Sequence, residues 1–101
     1  MNNRNIEIAN EILRQLGGRN KLTMMIGMKD AFAIENGLVF KFKMSKVANY
    51  VSIVLNGNDL YDITFKSLRG LNQKDVEMLE DVYYDDLKRI FENTTKLYLS
   101  L

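Results

Sequence analysis

The first regular pattern of hydrophobic positions lies between Asn5 and Leu16. Its apolar residues recur at helical steps of three and four: Ile6, Ala9, Ile12, Leu13 and Leu16. Gly17 and Gly18 follow at once, and glycine readily adopts the left-handed conformation that ends many helices. The pattern therefore predicts an amphipathic helix that ends before Gly17.

From Lys21 to Arg69 the pattern is typical of strands, and the short apolar run 22–26 is interpreted as the first of them. Apolar residues then alternate after the turn signal Glu35-Asn36-Gly37: Leu38, Phe40, Phe42 and Met44. A three-residue loop over 35–37, with Gly37 in the left-handed bulge position, would pair Ile34 with Leu38 and Phe32 with Phe40. All four side chains would then lie on one apolar face.

A second hairpin is predicted from the segments 49–55 and 60–65, which flank Asn56-Gly57-Asn58. A connecting loop with an odd number of residues keeps Val51 and Ile53 on the same face as Tyr61 and Ile63. The residues 68–70 are expected to close the sheet.

The last segment is interpreted as a long C-terminal helix. Asn72 is suited to be its N-cap, Asp75 sits three residues later, and Leu71 can pack on Val76. Apolar or small residues then define one helical face: Val76, Leu79, Tyr83, Leu87, Ile90 and Thr94. The residues 97–101 either continue this helix or pack as an extended tail.

These elements predict a single α+β domain over residues 1–101. It would comprise an N-terminal helix, a four- or five-stranded antiparallel sheet built from two hairpins, and a long C-terminal helix, with both helices packed on one sheet face. The composition, 47% hydrophobic and 27% charged, fits a soluble globular protein. Because the sequence lacks a signal peptide and any run of roughly 20 apolar residues, we expect a cytoplasmic protein without membrane contact.

The chain contains no histidine and no cysteine. It therefore has no thiolate nucleophile, no disulfide and no cysteine-based metal centre. It also lacks the acid–base side chain whose ordinary pKa lies near neutrality. Asp59 and Asp62 are the one compact carboxylate pair of the sheet, but their spacing puts them on opposite faces of a strand. We therefore expect a protein that is not an enzyme and has neither metal nor cofactor.

The charge is unevenly distributed, although its sum is only +1. Residues 1–50 contain eight Lys/Arg and four Asp/Glu, whereas residues 51–101 contain six and nine. In the first half, Lys41, Lys43 and Lys46 follow the strand pattern without an intervening acid, so they could bind nucleic acid phosphates. The alternative is an ordinary solvated sheet face whose lysines protect an edge.

The second half carries its acids on the predicted C-terminal helix. Glu77, Asp81, Tyr84 and Asp85 would lie away from the core, with Phe91 at the margin of the same surface. Carboxylates beside aromatic rings can bind a basic groove on another protein. The alternative is a solvent-facing helix whose charges pair with their neighbours.

Four stretches resemble a widespread family of small uncharacterised proteins of phages and mobile genetic elements: ILRQLGG at 12–18, ANYV at 48–51, LNGNDLYD at 55–62 and VYYDDL at 82–87. The resemblance implies a phage or mobile-element context, in which small proteins often act by binding a host factor. The leading hypothesis is thus an anti-defence protein that inhibits or redirects a host protein, such as a restriction or CRISPR nuclease with a basic groove. The alternative is a nucleic-acid-binding accessory protein of phage replication or recombination. A structural protein that forms a homo-oligomer is a third possibility.

Overall fold

The computed structural model describes residues 3–99, which share one hydrophobic core. The order of elements is α1 (Asn3–Leu16), α2 (Arg19–Ile26), β1 (Lys29–Ile34), β2 (Gly37–Lys41), β3 (Tyr50–Leu55), β4 (Tyr61–Arg69), β5 (Asn72–Val82), a 3₁₀ turn (Tyr84–Asp86) and α3 (Leu87–Thr95). The predicted fold class is confirmed: an N-terminal helix, a five-stranded antiparallel sheet and a C-terminal helix. No helix within residues 3–99 is long and apolar enough to span a membrane.

The sheet is a meander in which each strand pairs with the next, so that β1 and β5 form its two edges. Across the three central strands, the buried residues stand directly opposite one another in two rows: Leu38–Ile53–Ile63 and Phe40–Val51–Phe65. Side chains of α1, α2 and α3 join these rows in the core. The helices therefore cover one face of the sheet.

Aromatic rings join α3 to the sheet. Phe91 of α3 lies 5.3 Å from Phe42, 5.8 Å from Phe65 and 6.1 Å from Phe40, measured between ring centroids. All four rings are at most 2% exposed. Such tilted pairs add to the energy of burying the rings, so this cluster is a main source of the helix–sheet packing.

The N-terminal helix is confirmed, but the predicted strand at 22–26 is wrong because these residues belong to α2. Leu22 and Ile26, four residues apart, are buried while Thr23 and Met24 are exposed, which is the helical period. Gly27 ends the helix with φ 66°, and its N–H donates to the carbonyl oxygen of Thr23. A five-residue apolar run does not by itself distinguish a helix from a strand.

The first hairpin has a two-residue turn, Glu35-Asn36, in place of the predicted three-residue loop. Ile34 pairs with Gly37 and Phe32 with Val39, so Phe32 lies on the face opposite Phe40 and is 61% exposed. Asn36 takes the left-handed conformation with φ 57°. Gly37 lies inside β2, where an added Cβ would be 2.3 Å from the carbonyl oxygen of Ile53. Gly37 is thus required for the close approach of β2 and β3 and not for the turn.

The second hairpin agrees with the prediction. Its loop spans the five residues 56–60, and Val51 and Ile53 lie on the same buried face as Tyr61 and Ile63. The sheet continues after this hairpin, because a turn at Gly70-Leu71 leads into β5.

The predicted long C-terminal helix is wrong over 72–82, which form β5, and α3 begins only at Leu87. The less exposed residues of β5, Val76, Leu79 and Val82, are three apart. Two register shifts against β4 produce this spacing, since each inserts an extra residue and resets the alternation of faces. A doubly bulged strand therefore has the apolar spacing of a helix.

The tail after α3 is extended as far as residue 99. Lys96, with φ 64°, ends the helix. Leu99 is buried, and its N–H donates to Oε2 of Glu92 at 2.6 Å. The extended alternative therefore applies to 97–99, while residues 100 and 101 lie outside the described part of the chain.

We predict that Gly37→Ala lowers the free energy of unfolding by about 1–3 kcal/mol, because its Cβ forces the backbones of β2 and β3 apart. Gly57→Ala is the matched control, since nothing lies within 4 Å of the position that its Cβ would take and its φ is outside the left-handed region. It should change stability by less than about 0.5 kcal/mol. Urea denaturation of both variants checks this. Equal stability of the two would contradict the assigned register of β2.

Candidate functional site

The sheet face away from the helices is here called the open face. Alternation brings to it the residues of β2, β3 and β4 that do not enter the core. Two neighbouring rows cross it from β1 to β5: Phe32–Val39–Ser52–Thr64–Met78 and Lys29–Lys41–Tyr50–Lys66–Asp75. None of these ten residues is buried. The open face is therefore a surface on which polar, basic and aromatic side chains are mixed.

Tyr50 lies at the centre of the second row. It is directly opposite Lys41 on β2 and directly opposite Lys66 on β4. Cβ atoms of such cross-strand neighbours are about 5 Å apart, so both ammonium groups can reach the surroundings of the ring. Tyr50 is half-buried, and in the neighbouring row the residues of β3 and β4 are Ser52 and Thr64, whose side chains are small.

Basic side chains are concentrated at one end of the sheet, which is formed by the row that contains Tyr50 and by the β2–β3 and β4–β5 connections next to it. This basic end, formed by residues 29–30, 41–50 and 66–75, has two acids, Asp30 and Asp75, and seven bases: Lys29, Lys41, Lys43, Lys46, Lys66, Arg69 and Lys74. Three of the bases come from the half of the chain that is acidic in sum. Positive and negative charges are thus separated along the strand direction and not between the two halves of the sequence.

The two acids neutralise the basic end only weakly. Asp30 lies 3.8 Å from Nζ of Lys41, and Asp75 lies 3.7 Å from Nζ of Lys66; both carboxylates are more than half exposed. Such exposed pairs contribute little energy, so a phosphate can displace the carboxylate. Within residues 3–99 the other five bases of this end form no ion pair.

The connection between β2 and β3 is held in place by side-chain hydrogen bonds. The amide of Asn49 donates to the carbonyl oxygen of Leu68 at 2.8 Å and accepts from its N–H at 2.7 Å. Ser45 Oγ donates to the carbonyl oxygen of Thr95 and accepts from the N–H of Val47. The loop that carries Lys43 and Lys46 is therefore fixed to β4 on one side and to α3 on the other.

Open concavities lie at the basic end: a small one of about 160 Å³, lined by residues 45–49 and 67–69, and two larger ones. One, of about 260 Å³, is lined by Lys29, Lys41, Phe42, Lys43, Asn49 and Leu68. The other, of about 530 Å³, is lined by Val47, Ser67, Arg69, Asn72, Lys74, Asp75 and Val76. Bases thus line both of the larger concavities, Lys29, Lys41 and Lys43 in the first and Arg69 and Lys74 in the second.

The opposite end of the sheet is acidic. Residues 33–38, 53–63 and 79–82 contain no base and five acids: Glu35, Asp59, Asp62, Glu80 and Asp81. The amide of Asn56 donates to Asp62 at 3.0 Å and to Asp81 at 2.8 Å, which joins the β3–β4 loop to the end of β5. Within residues 3–99, no three acids are grouped so as to hold a metal ion.

The predicted acidic helix surface is not formed. Glu77 and Asp81 lie on β5, where four residues span about 13 Å and not the single helical turn that was expected. Tyr84 and Asp85 belong to the 3₁₀ turn. Phe91 is 1% exposed, so its assignment to a surface is wrong. Four of the five residues remain accessible, but they are spread along an edge strand and a turn.

The predicted basic residues are brought together and extended. Lys41 lies on the open face and, together with Lys43, lines the concavity of about 260 Å³. Lys46 lies in the loop that follows. Sequence reasoning missed Tyr50 and Lys66 as members of this surface. The signal for Tyr50 was present, because a strand that buries Val51 and Ile53 must place Tyr50 on the other face.

The ionisable groups with shifted pKa values lie elsewhere, between α1 and β4. Hydrogen bonds from Arg14 and Gln15 lower the pKa of the Glu11 carboxyl to about 2, and burial raises the pKa of Tyr61. A carboxylate with so low a pKa is a poor general base near neutral pH. This group is therefore interpreted as a structural link between the helix and the sheet.

Comparison with known proteins gives no further assignment: no family model, no curated protein and no solved structure matches the chain.

The two faces can be distinguished by truncating one phenylalanine on each. Phe91→Ala removes a ring that contacts three others and should cost about 3–5 kcal/mol of unfolding free energy. Phe32→Ala removes an exposed ring and should cost no more than about 1 kcal/mol. Thermal denaturation compares the two variants, and a larger loss for Phe32→Ala would contradict the assignment of faces.

Proposed function

We propose that this protein is a non-enzymatic nucleic-acid-binding protein that contacts phosphates through its basic end. The observation that carries this proposal is the excess of seven bases over two acids, collected from three separate segments of the chain. Lysine and arginine side chains bind phosphates by charge, and this term supplies most of the affinity of sequence-independent binding. A net charge of only +1 does not oppose the proposal, because the acids lie mainly outside this end.

The fixed loop between β2 and β3 supports the same proposal. Because Asn49 and Ser45 hold this loop, Lys43 and Lys46 lose little backbone freedom when a ligand binds. An accessory role in phage replication or recombination fits such a surface. That role rests on the family resemblance and stays a proposal.

The proposal is tested by reversing the three charges that the sequence singled out. Lys41→Glu, Lys43→Glu and Lys46→Glu together should weaken oligonucleotide binding. If each lysine contacts one phosphate, they should also lower the slope of log affinity against log salt by about 2 for single strands. Fluorescence anisotropy with a labelled oligonucleotide over a range of salt concentrations measures both quantities.

The matched control reverses three exposed bases outside the sheet and away from the Ser45 loop, Arg4→Glu, Arg19→Glu and Arg89→Glu, and so changes the net charge equally. It should leave the salt slope within experimental error of the unmodified protein. An equal loss in both triple variants would mean that net charge alone governs binding, and the basic end would lose its assignment.

A second candidate function is binding of a host protein at the acidic end. It corresponds to the hypothesis that the protein is an inhibitor of phage origin. Tyr83 and Tyr84 are 61% and 66% exposed, and they closely follow Glu80 and Asp81 in the chain. Exposed tyrosines beside carboxylates suit the contact with a basic groove. This observation favours a partner with positive charge, such as a nuclease.

For this candidate, the protein should capture a host protein from a lysate, and the combination Asp81→Lys with Asp85→Lys should abolish the capture. The reversed charges repel a basic groove, and neither side chain enters the core. Because Asp81→Lys also removes the hydrogen bond from Asn56, an unchanged circular dichroism spectrum must accompany the loss of capture. A pull-down followed by mass spectrometry identifies the partner. Failure to retain any host protein, or retention by the variant, would argue against the candidate.

A further inference from the structure

We propose that the nucleic acid bound at the basic end is single-stranded, and that one of its bases stacks on Tyr50 while Lys41 and Lys66 bind the flanking phosphates. This inference rests on the proposed function and names its substrate class. It starts from the register, which places a tyrosine between two lysines on the open face. The sequence pattern indicated phosphate contacts only.

The combination of Tyr50 with Lys41 and Lys66 favours a single strand over a duplex as the ligand. In a duplex the faces of the bases are covered by their neighbours, so an aromatic ring on a flat surface gains nothing from them. In a single strand a base can lie on the ring, and base–aromatic stacking together with nearby cations is the usual combination in proteins that bind single strands. Tyr50 and its two lysines provide that combination on adjacent strands.

The dimensions and surroundings of the row agree with this occupant. From Lys29 on β1 to Lys66 on β4 the row crosses three strand spacings, about 14 Å. In RNA-binding modules that use the face of a four-stranded sheet, aromatic side chains on that face stack two or three bases. Ser52 and Thr64 are the small residues of the neighbouring row. The carboxylates paired with Lys41 and Lys66 are both more than half exposed, so phosphate can replace them.

The opposite end of the sheet provides the internal comparison. Tyr84 is more exposed than Tyr50, but within residues 3–99 no base stands directly opposite it on a neighbouring strand. Asp81, Asp85 and Asp86 lie close to it in the chain. If exposure alone decided binding, Tyr84 would be the better stacking residue. If binding requires an aromatic ring next to cations, a base stacks on Tyr50 and not on Tyr84.

The test compares three substitutions by fluorescence anisotropy at one fixed salt concentration. The probes are labelled oligo(dT) and oligo(U) of about 15 nucleotides and a DNA duplex of the same length. The unmodified protein should bind a single strand more tightly than the duplex, and the two single-stranded probes show whether DNA or RNA is preferred. Tyr50→Phe keeps the ring and should bind as the unmodified protein does. Isoleucine suits a strand as well as tyrosine does but has no aromatic face. Tyr50→Ile should therefore lower the affinity for single strands about fivefold or more and leave the affinity for the duplex unchanged.

Tyr84→Ile is the matched control and should leave every affinity unchanged. A second readout is intrinsic fluorescence, because the chain has five tyrosines and no tryptophan. A stacked base should quench part of the tyrosine emission, and Tyr50→Phe should remove that quenching while affinity is retained. Absence of binding to all probes would overturn the proposed function itself. Equal affinity for the single strands and the duplex, together with unchanged binding by Tyr50→Ile, would overturn only the stacking assignment.

Discussion

The position of β3 between β2 and β4 is the constraint on which the other features of this protein depend. Val51 and Ile53 must face the helices, because they meet Phe40 and Leu38 on one side and Phe65 and Ile63 on the other. A slip by one residue would turn every side chain of β3 to the other face and put Tyr50 into the core. The packing of the core therefore decides what the open face presents. Tyr50 stands between Lys41 and Lys66 because Val51 and Ile53, which alternate with it on β3, are buried.

The meander topology adds the second property, a separation of charge along the strands. Consecutive antiparallel strands bring the end of β2, the start of β3, the end of β4 and the start of β5 to the same end of the sheet. Bases from both halves of the chain meet there, and acids collect at the other end. The energy of any single exposed charge is small, but an end with one dominant sign attracts an oppositely charged polymer and orients it. The sheet thus presents two ends of opposite charge.

Much of this could be predicted from the sequence, and the failures have physical causes. The alternation in β2, β3 and β4 is strict, so the faces of Val51, Ile53, Tyr61 and Ile63 were correct. The segment 72–82 has both a capping signal and apolar steps of three, and these predict a helix; the steps arise from bulges that no local pattern indicates. The same mistaken helix, which begins at Asn72 and not at Leu87, puts Phe91 at the margin of its outer surface. Three of the seven bases of the basic end were predicted, whereas Lys29, Lys66, Arg69 and Lys74 join it only through the pairing of neighbouring strands.

The most direct test of the central claim, that the register of β3 creates a binding surface at the basic end, is a nuclear magnetic resonance titration. Uniformly ¹⁵N-labelled protein would be titrated with an unlabelled single-stranded oligonucleotide. We predict that the largest amide shifts occur at Lys41, Tyr50 and Lys66 and in the loop 42–49, while the amides of Tyr83 and Tyr84 remain unchanged. Shifts concentrated at the acidic end, or spread evenly over the surface without saturation, would contradict the account.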